Sequence, residues 1–160
     1  MSTSTGTNRV NRLVIAIREE VASHEKIVEL LTVQEGSIRN PAGEAFQAAT
    51  LELEVELKRS AGRTARRERA LAELAAELGV APGVATIGSM VERLGADGEL
   101  LAAERTRLIE VGADVRRRNR RMATLVRLHR QVTRELIQVV LGPEDGGDVH
   151  EGGSLIDAEV

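Results

Sequence analysis

Between the Asp97–Gly98 pair and Leu141 the chain has no proline and a single internal glycine, Gly112. Leu101, Leu108, Val115, Met122, Val126, Leu136 and Val140 recur there on one register of alternating three and four steps, and Arg105, Gly112, Asn119, His129 and Thr133 complete it. That spacing is the signature of an amphipathic helix packed along its length against other helices. At 1.5 Å per residue such a helix is about 65 Å long, too long to cross a compact domain. The spacing therefore predicts an all-α protein, an elongated antiparallel helical bundle or coiled-coil rod.

Composition agrees at the point where the core must be supplied. The 160 residues include one Phe and no Trp, Tyr or Cys, so Leu, Val, Ile and Ala have to fill it. Without cysteine there is no disulfide, thiolate metal site or thiol nucleophile, which fits a reducing compartment. No apolar run approaches the roughly 18 residues of a membrane span, and residues 1–8 lack the apolar core of a signal peptide, so a cytoplasmic protein with no membrane insertion is expected.

Read in order, residues 1–7 are Ser-, Thr- and Gly-rich and expected to be disordered, residues 8–142 form a single helical domain, and residues 143–160 form an acidic, Gly-rich, disordered tail. A first helix over 8–39 carries Val10, Val14, Ile17, Val21, His24, Val28, Leu31 and Ile38 on its seam, interrupted by Glu35. Asn40–Pro41 reads as a capped start for a second helix that stops at Gly79. In its middle the seam positions are Ser60, Thr64 and Arg67, basic residues crowd around them, and Gly62 costs about 1 kcal/mol relative to Ala. A solvated, poorly packed or bent stretch is expected there. Thr86 caps a short helix over 87–94, closed by Gly95, and the long helix follows.

Little in the chain points to chemistry. His24, His129 and His150 are far apart, without ligand spacing, and there is no phosphate-binding glycine loop or Ser–His–Asp order, so no enzyme, metal or cofactor is expected. The strongest electrostatic feature is Arg116, Arg117, Arg118, Arg120 and Arg121, followed by Arg127, Arg130 and Arg134. Such a helix can lie along nucleic-acid phosphates. It has no aromatic stacking residue, and the chain carries a net charge of −3. Pairing with Glu19, Glu20, Glu25 and Glu29 of an antiparallel first helix, or a solvated face, is the favoured reading, and no nucleic acid is expected. Asn119, on the seam, is expected to fix register by pairing with another polar group.

After Asn119 the apolar face widens. At about 100° per residue, Met122, Leu125, Val126, Leu128, Val132, Leu136, Ile137, Val139 and Val140 fill roughly half the circumference. One helical neighbour needs less, so this face is either covered by the bundle or left open as a groove. Periodicity does not choose between them.

The order of elements resembles FlgN-type flagellar export chaperones. The resemblance rests on residues 24–34 (HEKIVELLTVQ), 71–80 (LAELAAELGV), 86–94 (TIGSMVERL) and 116–128 (RRRNRRMATLVRL), and it covers about residues 13–141. It implies a small cytoplasmic all-α chaperone that binds hook-filament junction (hook-associated) proteins, prevents their premature assembly and delivers them to the export gate. By the same resemblance the C-terminal helix takes up the cargo's amphipathic segment, and the role falls on Asn119, Met122, Leu125, Val126, Leu128, His129, Val132, Leu136 and Val139. The Arg-rich middle of the second helix and the acidic tail depart from the family pattern. A self-associating coiled-coil scaffold, and hence a homo-oligomer, is the competing reading. An Arg-rich nucleic-acid binder is the third.

Overall fold

The structure, a computed structural model, describes residues 3–141, with side chains from 7 to 139. They form four α-helices, α1 (Thr3–Ser37), α2 (Glu44–Glu77), α3 (Ile87–Leu94) and α4 (Glu99–Leu141), with 3-10 turns at Pro82–Val84 and Gly95–Gly98. No strand occurs among the described residues, so the all-α class stands. The chain divides into two units, Met1–Val126 and Arg127–Val160. α4 supplies helix to both.

In the first unit the apolar core gathers the N-terminal half of α1, the C-terminal end of α2, α3 and the start of α4. Leu13, Ile17 and Val21 of α1 meet Leu74 and Ala75 of α2, Met90 of α3 and Leu101 of α4, all essentially fully buried. Burying side chains of this size is worth about 1.5–3 kcal/mol each. A short helix earns its place here: eight residues alone would not hold a helix in water, and Met90 gives α3 its anchor. The Thr86 hydroxyl accepts the Ser89 amide while the Ser89 hydroxyl accepts the Thr86 amide, closing a capping box. Gly98, buried, lets α4 start close beneath α3: a Cβ there would stand 3.0 Å from the Val91 carbonyl oxygen.

Three boundaries differ from expectation. α1 begins at Thr3, so residues 3–7, expected to be disordered, are helical. α2 begins at Glu44 behind an extended Gly43, rather than at Pro41. The reason lies in the reversal: Asn40 N–H donates to the Ser37 carbonyl and Gly43 N–H to the Asn40 carbonyl, both at 2.9 Å, so residues 37–43 are spent turning the chain. α4 begins at Glu99, since Asp97 and Gly98 belong to the preceding 3-10 turn. The end of α2 is as expected. Gly79 takes φ +65°, Val80 N–H reaches the Ala75 carbonyl and Gly79 N–H the Ala76 carbonyl, which is a Schellman closure. The expected tail disorder concerns residues outside those described.

α1 and α2 pack closely and antiparallel. Arg9 pairs with Glu77, Arg12 with Glu73, Glu19 with Arg66 and Lys26 with Glu52, each step up α1 matching a step down α2. The expected solvated middle of α2 is corrected by what lies opposite it. Glu20, Ser23, Glu56 and Ser60 are buried, and they belong to a polar layer between the two helices. The Ser23 hydroxyl and Arg63 donate to Glu56, while the Thr64 hydroxyl and Arg67 Nε donate to Glu20 at 2.8 and 2.6 Å. The polar seam of α2 is thus matched by polar seam residues on α1, and α2 runs unbroken through Gly62.

The expected antiparallel pairing of α1 with the long helix is also corrected. Arg18 pairs with Glu104, Glu25 with Arg107, and Glu35 with Arg118 and Arg121, so the two run parallel. An odd number of reversals between them would have been needed for the opposite sense. The reversal at 37–43 and the one through α3 make two. Glu19 and Glu20 are taken by α2, leaving Glu25 and Glu35 for α4.

Candidate protein-binding face

The second unit is described as the helical residues 127–141, and four of its apolar residues share one side of the helix. Leu128, Val132, Leu136 and Val139 follow spacings of four, four and three, so about 80° of arc holds all four. Arg127, Arg130 and Arg134 take the opposite side and, with Gln131 and Glu135, line a shallow polar concavity. Every residue from 127 to 139 is exposed. Leu128 is 55% exposed, Val132 45%, Leu136 59% and Val139 82%, while Ile137, 49% exposed, lies about 100° from Leu136 on the side of Arg130. Single exposed leucines are ordinary on protein surfaces. A run of apolar side chains on one stripe is the informative case.

Local bonds hold this helix. The Gln131 amide donates to Glu135 at 2.9 Å, and the Thr133 hydroxyl donates back to the His129 carbonyl at 2.8 Å. His129 is itself exposed and belongs to no group of three metal-ligating side chains among the described residues.

The other residues expected to bind a partner lie in the first unit and divide differently. Met122 is buried at 8% exposure, so it is core rather than binding surface as the chain stands. Leu125 and Val126 are half-buried. Asn119 is exposed, which removes the register-fixing role expected of it on the seam. That role has its structural counterpart in the α1–α2 polar layer. Sequence reasoning assigned those polar seam residues to solvent, although Ser60, Thr64 and Arg67 on one helix and Glu20 and Ser23 on the other were a readable match.

Two titratable groups in that layer are shifted. Burial pushes the His24 pKa below its ordinary value of 6.5; Glu20 opposes this, and Arg67 and Arg116 add to it. For Glu56, burial pushes the carboxyl upward, but the hydrogen bonds from Ser23 and Arg63 and the charges of Arg63 and Arg59 outweigh it, leaving the pKa below 4.5. These shifts are consequences of packing and pairing between the helices. The apolar concavity between the end of α2 and the Pro82–Val84 turn, lined by Leu71, Ala75, Val80, Pro82 and Ala85, offers one polar side chain, Glu68, to orient a ligand.

Among the described residues no three His, Asp or Glu side chains gather as a metal site, and no helix is long and apolar enough to cross a membrane. Searches of curated proteins and of solved structures returned no match. The sequence profile of the FlgN protein family matches residues 1–148, nearly the whole chain. FlgN chaperones are cytoplasmic and non-enzymatic, and they generally bind hook-associated proteins and the export apparatus. With an all-α fold built around a long C-terminal helix, and a profile match over 148 of its 160 residues, the chain belongs to the FlgN family of chaperones for flagellar hook-associated protein export.

Proposed function

We propose that the chain holds its hook-associated cargo on the apolar stripe of Leu128, Val132, Leu136 and Val139, with His129 at its edge, and so prevents premature assembly before delivery to the export gate. The observation that carries this reading is the exposure of every residue from 127 to 139, including these four. A cargo helix destined for a coiled-coil assembly is apolar along one face and aggregates if left bare. Laying it against a second apolar stripe covers both without chemistry, as in other helix-on-helix recognition. Leu125 and Val126 are half-buried and Met122 buried, so the proposal rests on the four exposed residues of the second unit.

The test is Val132→Asp with Leu136→Asp. Pressing two carboxylates against an apolar cargo helix costs several kcal/mol, enough to weaken binding at least about a hundredfold. Both positions face water in the free chain, so its melting temperature should stay within about 2 °C of the parent. Calorimetric titration with the host's hook-associated protein, beside thermal unfolding of the free chain, reads both. Unchanged affinity, or loss of stability together with binding, defeats the proposal. Arg127→Gln with Arg134→Gln serves as the control and should alter the salt dependence of association more than its affinity.

A further inference from the structure

The first unit has an open cleft between α2 and α4. Glu68 and Leu71 of α2 line one wall and Arg105, Leu108 and Ile109 of α4 the other, with Ile87 of α3 beside them. Leu71, Ile87 and Leu108 are half-buried and Ile109 is exposed. Burial sets the lowered pKa of His24 on α1, and the charges of Arg67 on α2 and Arg116 on α4 add to it, so α1 floors the cleft between the two walls.

The arginines of α4 in this unit divide between two sides of the helix. Arg107 pairs with Glu25, Arg117 with Asp114, and Arg118 and Arg121 with Glu35. Among the described residues no carboxylate pairs with Arg105, Arg116 or Arg120. Those three follow Ile109 and Gly112 along one edge of α4, at spacings of four, three, four and four over 105–120, which is about 80° of arc. The Arg105 guanidinium lies against the first turn of α3, where a Cβ on Gly88 would stand 3.6 Å from its Nε and Nη2. Arg116 folds back over Gly112, its Nη1 3.7 Å from where a Cβ would stand. Glu68 is the acid among the described residues lining the cleft, and Arg67 lies 3.8 Å from it. A hydrated arginine is ordinary; arginines without partners flanking exposed apolar side chains in a cleft are informative.

We propose that this cleft takes an acidic amphipathic helix of a partner protein, seated with its apolar face on Leu71, Leu108 and Ile109 and its carboxylates on Arg105 and Arg116. α2 and α4 run antiparallel over α1, and a helix laid between them completes a four-helix bundle. Arg105 and Arg116 are eleven residues apart, about 16 Å along the axis, so the partner's acids fall three turns apart. A second copy fits poorly, because this chain's own exposed apolar helix, residues 127–139, brings three arginines against one glutamate to an edge that is already positive. The cleft is separate from the Leu128–Val139 stripe, and its assignment does not rest on the cargo reading.

The probe is a synthetic helical peptide of about five turns, with leucine and alanine along one face and glutamates three turns apart beside it; its counterpart has lysines in their place. In isotope-labelled full-length chain the acidic peptide should shift the amides of residues 64–71 and 105–116, and the lysine peptide should leave them unmoved. Arg105→Gln with Arg116→Gln should weaken the acidic peptide at least about tenfold. Both side chains are exposed, so the melting temperature should stay within about 2 °C of the parent. Ile109→Asp, at another exposed position, should weaken binding as much and gives a second reading should the arginine pair disturb the fold. The Val132→Asp, Leu136→Asp chain should keep the cleft shifts in full.

Equal binding of the two peptides, unchanged affinity in the arginine and Ile109 variants, or shifts confined to residues 128–139 overturns the proposal. Loss of the cleft shifts in the Val132→Asp, Leu136→Asp chain overturns it as well, since the two surfaces would then be one. A DNA duplex that reproduces the shifts and displaces the peptide would make nucleic acid the occupant instead.

Discussion

Glu20→Ala is the sharpest probe of how the first unit is held together. The Glu20 residue is 4% exposed, and its two oxygens are taken by Thr64 Oγ1 at 2.8 Å and Arg67 Nε at 2.6 Å. Deleting it leaves the Arg67 guanidinium, at 18% side-chain exposure, with only Glu68 at 3.8 Å, and that carboxylate is 65% exposed. Breaking one side of a buried ion pair costs about 3–5 kcal/mol because the surviving charge stays desolvated. Arg67 keeps some water and a weak partner, so the lower end applies, about 3 kcal/mol. For a chain of this size that is a fall in melting temperature of roughly 6–12 °C. Glu20→Gln keeps an acceptor for Thr64 and should lose about half as much.

The decisive comparison replaces the whole group. Glu20→Leu, Thr64→Val and Arg67→Leu together remove the buried charges from both helices and should fall within about 1 kcal/mol of the parent, or exceed it, since well-packed apolar residues commonly match a buried ion pair. Circular dichroism at 222 nm with temperature reads all three variants. A Glu20→Ala chain melting within 1 °C of the parent, or a triple variant no better than the single one, would refute the account of the layer as mutual satisfaction of buried groups.

Acidification should destabilise the fold in two windows. His24 has a lowered pKa, so its contribution is full above 6.5 and is lost as pH falls through the lowered value; Glu56, also lowered, contributes fully above 4.5 and is lost as pH falls further. Melting temperature followed against pH should therefore decline in both ranges, with His24→Gln removing the upper decline only. Thr86→Ala deletes half of the capping box and should cost about 1 kcal/mol in thermal unfolding, and Gly98→Ala should cost at least as much, since its Cβ meets the Val91 carbonyl at 3.0 Å. By hydrogen exchange, amides of residues 128–139 should open with far less protection than those around Leu13, Ile17 and Leu74, and gain protection when cargo binds; equal protection in the free chain would contradict the exposed stripe.

What was legible in the sequence was whatever a single helix declares by itself. The periods of α1, α2 and α4, the Thr86 cap and the Gly79 and Gly95 stops are local chemistry, and each appears in the structure where it was read. The errors arose where one helix's meaning depends on another. Ser60, Thr64 and Arg67 look like a gap in a seam until Glu20 and Ser23 face them. The α1 seam was drawn through Val14, Val21 and Val28, yet Leu13, Glu20, Ile27 and Gln34, spaced by seven, are buried beside it because α1 meets more than one neighbour. Asn119 carries a seam residue's spacing but lies exposed. On the candidate face, spacing revealed the wide arc around residues 122–140; burial then separated Met122 as core from Leu128, Val132, Leu136 and Val139 as surface, a distinction that needs packing.

The unequal burial along α4 has a functional logic. A helix of about fifteen residues is marginal in water when it gains little from tertiary packing, and residues 127–139 are exposed throughout. An exposed apolar stripe would ordinarily invite self-association, but three arginines against one glutamate on the same stretch make two such helices repel as they approach. If cargo lies on this stripe as proposed, an amphipathic cargo helix with acidic or neutral flanks meets no such barrier. It also supplies the packing the stretch lacks, so binding and helix stabilisation reinforce one another. On the proposed reading the surface is selective through charge while remaining permissive through shape, since leucine and valine accept many apolar partners. A chaperone that must release its cargo for export benefits from that combination: part of the apolar contact is offset by the ordering of the helix, which holds the affinity below what buried area alone would give.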